Sequence, residues 1–180
     1  MKDSIAIIGS GRGELGKKMG SIIDSYEYVA RFQGYSLAEK EDYGSKVYIY
    51  VTCLNPNYPH VERWETEYDQ VFCVKPYDLK VEQNMIQTIP KGVNVEFIPP
   101  DIYSELEEIL QAPPSTGMSF LFWLYKVQGS LENHLILGFD FYSVPGHYWE
   151  KDLSSWEGHA HVHNWTNEKK LFSKMTGKSI

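Results

Sequence analysis

Pro113-Pro114-Ser115-Thr116-Gly117, followed by the apolar run Met118 to Val127 and then by Leu135-Ile136-Leu137-Gly138-Phe139-Asp140, is the stretch on which the fold turns. Two prolines end whatever precedes them and favour an extended backbone. Ser115 or Thr116 is a good helix N-cap. The run from Met118 to Val127 is apolar almost all round, so the helix it predicts is buried. The N–H groups at its start would then point into a crevice where an anion can bind. The strand that follows ends near Gly138, where a missing side chain lets a ligand approach the backbone. The plainer alternative is an ordinary capped core helix.

Upstream of this stretch, short apolar runs alternate with helical patterns. Ser4 to Gly9, Tyr26 to Phe32, Val47 to Val51, Val71 to Val74 and Val93 to Ile98 read as strands, and Leu135 to Gly138 adds a sixth. Helices are predicted at Lys17 to Ile23, His60 to Asp69, Leu79 to Ile89, Asp101 to Leu110 and Asn167 to Met175. Gln33 to Lys46 reads as a polar loop with helical patches, Leu54 to Pro59 as a loop, and Val144 to Val162 as a long aromatic, His-rich loop. Strands alternating with helices imply parallel βαβ units. The expected architecture is a Rossmann-like, open, mostly parallel α/β sheet with helices on both faces, in one domain over residues 1–180. Ligands of such sheets bind at the carboxyl ends of the strands. The loop after Gly9, the segment after Phe139 and the helix start at Ser115 all fall there.

Composition narrows the partners. Aromatic residues make up 14% of the 180, with 13 Tyr and 5 Trp, which suits sites where rings meet sugars or bases. The net charge is -7 and no Lys/Arg cluster stands out, so nucleic acid is not an expected partner. Cys53 and Cys73 are not a Cys-x-x-Cys pair and are expected as reduced thiols, one disulfide being the alternative. Met1-Lys2-Asp3-Ser4 leads into a strand without a signal-peptide pattern, and no apolar run reaches bilayer-spanning length. A cytoplasmic location, or one peripheral to a membrane, is the expectation.

Three constellations could carry chemistry. Gly11-Arg12-Gly13-Glu14-Leu15-Gly16 has the spacing of a dinucleotide fingerprint, but the acid that should hold the ribose is missing near Phe32-Gln33. A tight phosphate- or nucleotide-facing turn is the better reading. His159-Ala160-His161-Val162-His163 would place three imidazoles on one face of an extended segment, which could suit zinc or leave one working His in a surface loop. His147-Tyr148-Trp149-Glu150 and His163-Asn164-Trp165-Thr166-Asn167-Glu168 each pair a His with a Glu. A His at the mouth of a crevice, beside a helix start that a Glu stabilises, is a natural general base.

Taken in order, these stretches resemble the sialyltransferases of glycosyltransferase family 29, which carry four ordered motifs. The long motif is similar to Ser4–Phe32 and on to Lys46, above all at Gly20-Ser21-Ile22-Ile23-Asp24-Ser25 and Val29-Ala30-Arg31-Phe32. The short motif is similar to Pro114–Gly117 through Gly138-Phe139, the third to His147–Glu150, and the last to His163 with Glu168. Leu137–Tyr142 is also similar to the bacterial sialyltransferases of family 42.

The resemblance implies a GT-A-like variant of the fold. It implies inverting, metal-independent transfer from a CMP-linked donor, usually CMP-sialic acid, to a glycan acceptor, with no cofactor. It implies His163 as general base and His147 against the departing phosphate, with Glu150 and Glu168 in support. Donor contacts are implied at Gly9, Ser10, Gly11, Gln33, Ser115, Thr116, Gly117, Gly138 and Tyr148. Ser10 and Gln33 stand where the family has donor-touching Asn, and the family's eukaryotic disulfide has no counterpart near Ile5 and Gln128. Those departures, with the short chain, suit a microbial member and a donor other than sialic acid. Two alternatives stand beside the enzyme: a non-catalytic nucleotide-binding protein of the same fold, and a zinc-dependent hydrolase built on the loop histidines.

Overall fold

The computed structural model describes residues 4–54, 63–64, 66–74, 89–151 and 162–178. Ile5–Ile8 forms β1, and all four side chains are buried, as expected of a strand covered on both faces. The other strands are β2 (Tyr28–Phe32), β3 (Ile49–Thr52), β4 (Gln70–Cys73), β5 (Val95–Phe97) and β6 (Leu135–Leu137). They make one six-stranded sheet in the order β5-β4-β3-β2-β1-β6, and every pairing is parallel.

The helices are α1 (Gly20–Asp24), α2 (Lys40–Tyr43), α3 (Pro100–Leu110), α4 (Thr116–Gln128) and α5 (Trp165–Thr176). Period-two alternation splits each strand's side chains between two cores. On one face Ile5, Ile7, Phe32, Ile49, Val51 and Phe72 pack against α3, α4 and α5. On the other, Ala6, Ile8 and Val29 meet Ile23 of α1 and Tyr43 of α2. Helices therefore cover both faces, as expected, and the sheet is wholly rather than mostly parallel among the described residues.

Local signals explain the helices. α3 opens with Pro at its first position, carries Asp101 in its first turn and buries Tyr103, Leu106 and Leu110, three positions on one helical face. Gln111 in the left-handed region, with Pro113 and Pro114 beyond it, ends it. α4 buries every residue from Met118 to Leu124 and closes on Gly129, φ 81°. Asn164 caps α5 by accepting from the Asn167 N–H at 3.1 Å, and Gly177 ends it.

Two expected helices differ. Lys17–Ile23 is a turn as far as Met19, because Gly16 and Lys18 take left-handed backbone and their N–H groups go to the Asp42 carboxylate. Only Gly20–Asp24 is helical. Of the His60–Asp69 helix, residues 63–64 and 66–69 are turn or irregular, and the remainder lies outside the described residues. The Leu79–Ile89 helix lies outside them save Ile89, as does the Leu54–Pro59 loop save Leu54.

The strand order reverses at one place. β1 to β5 step away on one side, while β6 returns to pair with the other side of β1, Ile8 beside Leu137. A crevice outside the strand ends at such a switch point is where ligands bind in open α/β sheets.

Candidate functional site

A cavity of about 520 Å³ opens at that switch point. Its floor is where β1 and β6 end. The Gly9 and Gly11 N–H groups donate to the Leu137 and Gly138 carbonyls, both at 2.8 Å. A Cβ on Gly9 would lie 2.3 Å from the Gly138 oxygen, and Gly138 itself has φ +71°. These two glycines are required by backbone-to-backbone approach. Gly11 is cleared for a side chain instead: its Cβ would fall 2.5 Å from the Asp140 carboxyl carbon.

One wall is the start of α4. Ser115 caps the helix, its Oγ accepting from the Met118 N–H at 3.2 Å. Glu168, fully buried on α5, reaches the same terminus: it accepts from the Ser115 N–H at 2.7 Å and from the Ser115 hydroxyl at 2.8 Å. Burial pushes its carboxyl up to about 7, against the pull of those two hydrogen bonds. Gly117 lies against the ring of Phe139, where a Cβ would be 2.7 Å from a ring carbon.

The two histidines of the paired motifs both line this cavity. His163 Nδ1 is 2.7 Å from the Pro113 carbonyl oxygen. A carbonyl only accepts, so Nδ1 carries the proton, and in the neutral ring Nε2 is the proton acceptor. His147 stacks on Trp149 with ring centroids 4.7 Å apart and 1° between planes. Its Nδ1 is 3.2 Å from Glu150, its backbone N–H donates to the same carboxylate at 2.6 Å, and Nε2 lies 3.3 Å from the Tyr142 hydroxyl. Arg12, from the Gly-rich turn, holds this segment by donating to the Glu150 and His147 carbonyls.

Gly9, Ser10, Gly11, Gln33, Ser115, Thr116, Gly117, Gly138, His147, His163 and Glu168 thus share one cavity. Glu150 stands behind His147. Tyr148 is placed elsewhere: it is buried in the opposite core, its hydroxyl donating to Ser36 O at 2.5 Å and accepting from Ser36 N at 3.0 Å. It does not line the cavity, so the donor contact expected of it has no geometric basis here. Gln33 lines the cavity, but its amide is engaged. Oε1 accepts from the Cys53 N–H at 2.6 Å and Nε2 lies 3.1 Å from the Cys53 sulfur. Neither Cys53 nor Cys73 forms a disulfide. His159 and His161 of the zinc reading lie outside the described residues, and no group of three metal-ligating side chains occurs among the described ones.

Asp140 joins the cavity without a local sequence signal of its own. Its carboxylate accepts from the Arg12 N–H at 2.8 Å and the Tyr142 N–H at 3.1 Å, tying the two strand-end loops together. Burial raises its pKa, against the pull of these hydrogen bonds and of nearby His147. Beyond it, Phe141 and Tyr142 both take positive φ, 51° and 55°, a strained arrangement of the kind that gathers at ligand sites. It leaves Tyr142 against Trp165, centroids 4.4 Å apart, with its phenol pushed up to about 12 by burial. Tyr142, Trp149 and Trp165 give the cavity an aromatic side. In the chain, the aromatic richness and the two His–Glu motifs that contain Trp149 and Trp165 point to this side.

The chain superposes on a crystal structure of a mammalian sialyltransferase with a TM-score of 0.66 over 96% of its length, at 18% identity. The fold is that of a sialyltransferase. A mammalian sialyltransferase in complex with Gal-beta-1-3GalNAc-ortho-nitrophenol is also similar, with a TM-score of 0.63, 18% identity and 96% coverage. The chain spans 66% of the length of each of these sialyltransferase chains. No protein-family model matches the sequence, and no curated protein matches it. Among the described residues, no helix is long and apolar enough to cross a membrane.

Proposed function

We propose that the protein is a glycosyltransferase that moves sialic acid, or a related sugar, from a CMP-activated donor to a glycan hydroxyl, with inversion and without a metal. The observation that carries this reading is the pairing, in one cavity, of an anion-favouring helix start at Ser115–Gly117 with a His163 whose Nδ1–H is committed to Pro113. In this reading His163 Nε2 takes the proton of the acceptor hydroxyl as its oxygen attacks the anomeric carbon. The bond from that carbon to the phosphate breaks, and CMP leaves with the electron pair. His147 meets the phosphate, with Glu150 holding its Nδ1–H. Stabilising charge on the departing phosphate is a large share of such catalysis. The sialyltransferase fold of the chain is in keeping with this chemistry.

A non-catalytic nucleotide-binding protein of the same fold is the second reading. The observation that favours it is Gln33, whose amide is spent on Cys53 rather than offered to a donor. Calorimetric titration with CMP, with UMP and NAD as controls, tests the nucleotide site. Selective CMP binding supports both readings, and equal or absent binding sinks both. Acceptor-dependent release of CMP from CMP-sialic acid then separates them: release supports the enzyme, and none with any glycan supports the binding protein.

A further inference from the structure

His147 and Tyr148 are chain neighbours with different surroundings. His147 lines the cavity, while Tyr148 plugs into the second core among Ala6, Ile8, Ile23, Val29 and Tyr43. The Tyr148 ring stacks on Tyr43 with centroids 3.9 Å apart and 11° between planes. Its hydroxyl is clasped by both backbone groups of Ser36, and its own N–H donates to Ser10 O at 3.1 Å. Tyr43 is fixed in turn: its hydroxyl donates to Gly11 O at 2.6 Å and accepts from the Glu14 N–H at 3.2 Å.

Behind the stack lies Arg31, fully buried on β2, donating from Nε to Lys46 O at 2.9 Å and from Nη2 to Tyr43 O at 2.6 Å. A buried guanidinium is costly to desolvate. Here it braces the backbone on which the Tyr43 ring stands, and it lies beside the Tyr148 hydroxyl. The Tyr148 hydroxyl compensates most, followed by the Asp24 carboxylate, which is bound to the Ser45 and Lys46 N–H groups, and by Tyr35. Of these residues only Ser10 and Gly11 line the cavity, yet together the group fixes the residue next to His147.

We infer that Tyr148, clamped by Tyr43 and Ser36 on the far face of the sheet, is a positioning residue that holds His147 in the cavity. That His147 meets a phosphate rests on the function proposed above; the placement of the ring does not. Two variants test it. Tyr148→Leu removes both the stack and the Ser36 hydrogen bonds, and Tyr148→Phe removes only the latter. The first readout needs no nucleotide: the His147 Cε1–H proton resonance, assigned by its absence in His147→Gln. It should lose the ring-current shift of the Trp149 stack in Tyr148→Leu and part of it in Tyr148→Phe. The second readout is CMP affinity, expected to fall about tenfold in Tyr148→Leu, since small misplacements of a binding group are costly.

A folded Tyr148→Leu protein with the wild-type His147 resonance overturns the inference, even if its melting temperature drops, because stability alone would then be at stake. Should Tyr148→Leu fail to fold, Tyr148→Phe decides, and an unshifted His147 resonance in that variant overturns the inference. If the wild-type protein does not bind CMP, the functional reading fails while the resonance still decides the positioning.

Discussion

At Glu168 burial and hydrogen bonding pull in opposite directions, and burial wins: the carboxyl rises from 4.5 to about 7. A folded-state pKa above the unfolded one means the folded protein holds this proton more tightly. The stabilisation is complete below pH 4.5 and is lost as pH rises through about 7. Glu168→Gln can still accept from the Ser115 N–H and donate to its hydroxyl, without the charge. Relative to wild type, the variant should therefore gain stability between pH 5 and pH 8, by up to about 3 kcal/mol. Urea unfolding at the two pH values measures this, and parallel pH profiles would refute it. At His163 the expectation is kinetic. Removing a general base costs roughly 10²–10⁴ in rate, so His163→Ala should lose turnover by that order while CMP still binds. Full activity in that variant would remove His163 from the mechanism.

Two element termini carry the cavity. Ser115 both caps α4 and satisfies Glu168, so Ser115→Ala removes an N-cap worth about 1 kcal/mol and strips one hydrogen bond from a buried carboxyl. A total loss of about 2 kcal/mol in denaturant unfolding is expected, and a change under half that would argue that the cap is idle. The β1 and β6 ends meet more tightly still. An alanine at Gly138 must hold a left-handed backbone, and its Cβ would sit 2.6 Å from the Gly9 oxygen. Backbone cannot swing aside as a side chain can, so Gly138→Ala should cost at least about 2 kcal/mol. Gly16, also at positive φ but with nothing within 4 Å, should cost less when changed to Ala. Equal losses at the two glycines would show that conformation alone matters.

For the molecule as a whole, binding CMP only in the folded state should raise its melting temperature. A hundredfold excess over Kd adds about 2.7 kcal/mol, which for a chain of this length is several degrees. UMP and NAD should raise it less. Chelation with EDTA should leave turnover unchanged, and a loss restored by a divalent ion would overturn metal-free transfer. Much of this architecture was legible in the chain. All six strands stand near their expected places, because short runs rich in β-branched and aromatic residues, bounded by turn residues, suit a parallel sheet. Ser115 starts a buried helix because a capping hydroxyl precedes an all-apolar run. These are local signals, carried by side chains a few residues apart. Sequence by itself also brought His147 and His163 forward, through the Glu that accompanies each. What the tertiary structure alone decided is pairing across distance. That β6 returns to the outer side of β1 creates the switch point and the cavity, yet its partners are about 130 residues apart. That Tyr148 turns away from the cavity, that Gln33 is held by Cys53, and that Asp140 clasps Arg12 follow from which backbone groups remain to be satisfied once the sheet has closed. Such bonds depend on geometry summed over the whole fold, and no local pattern of residues encodes them.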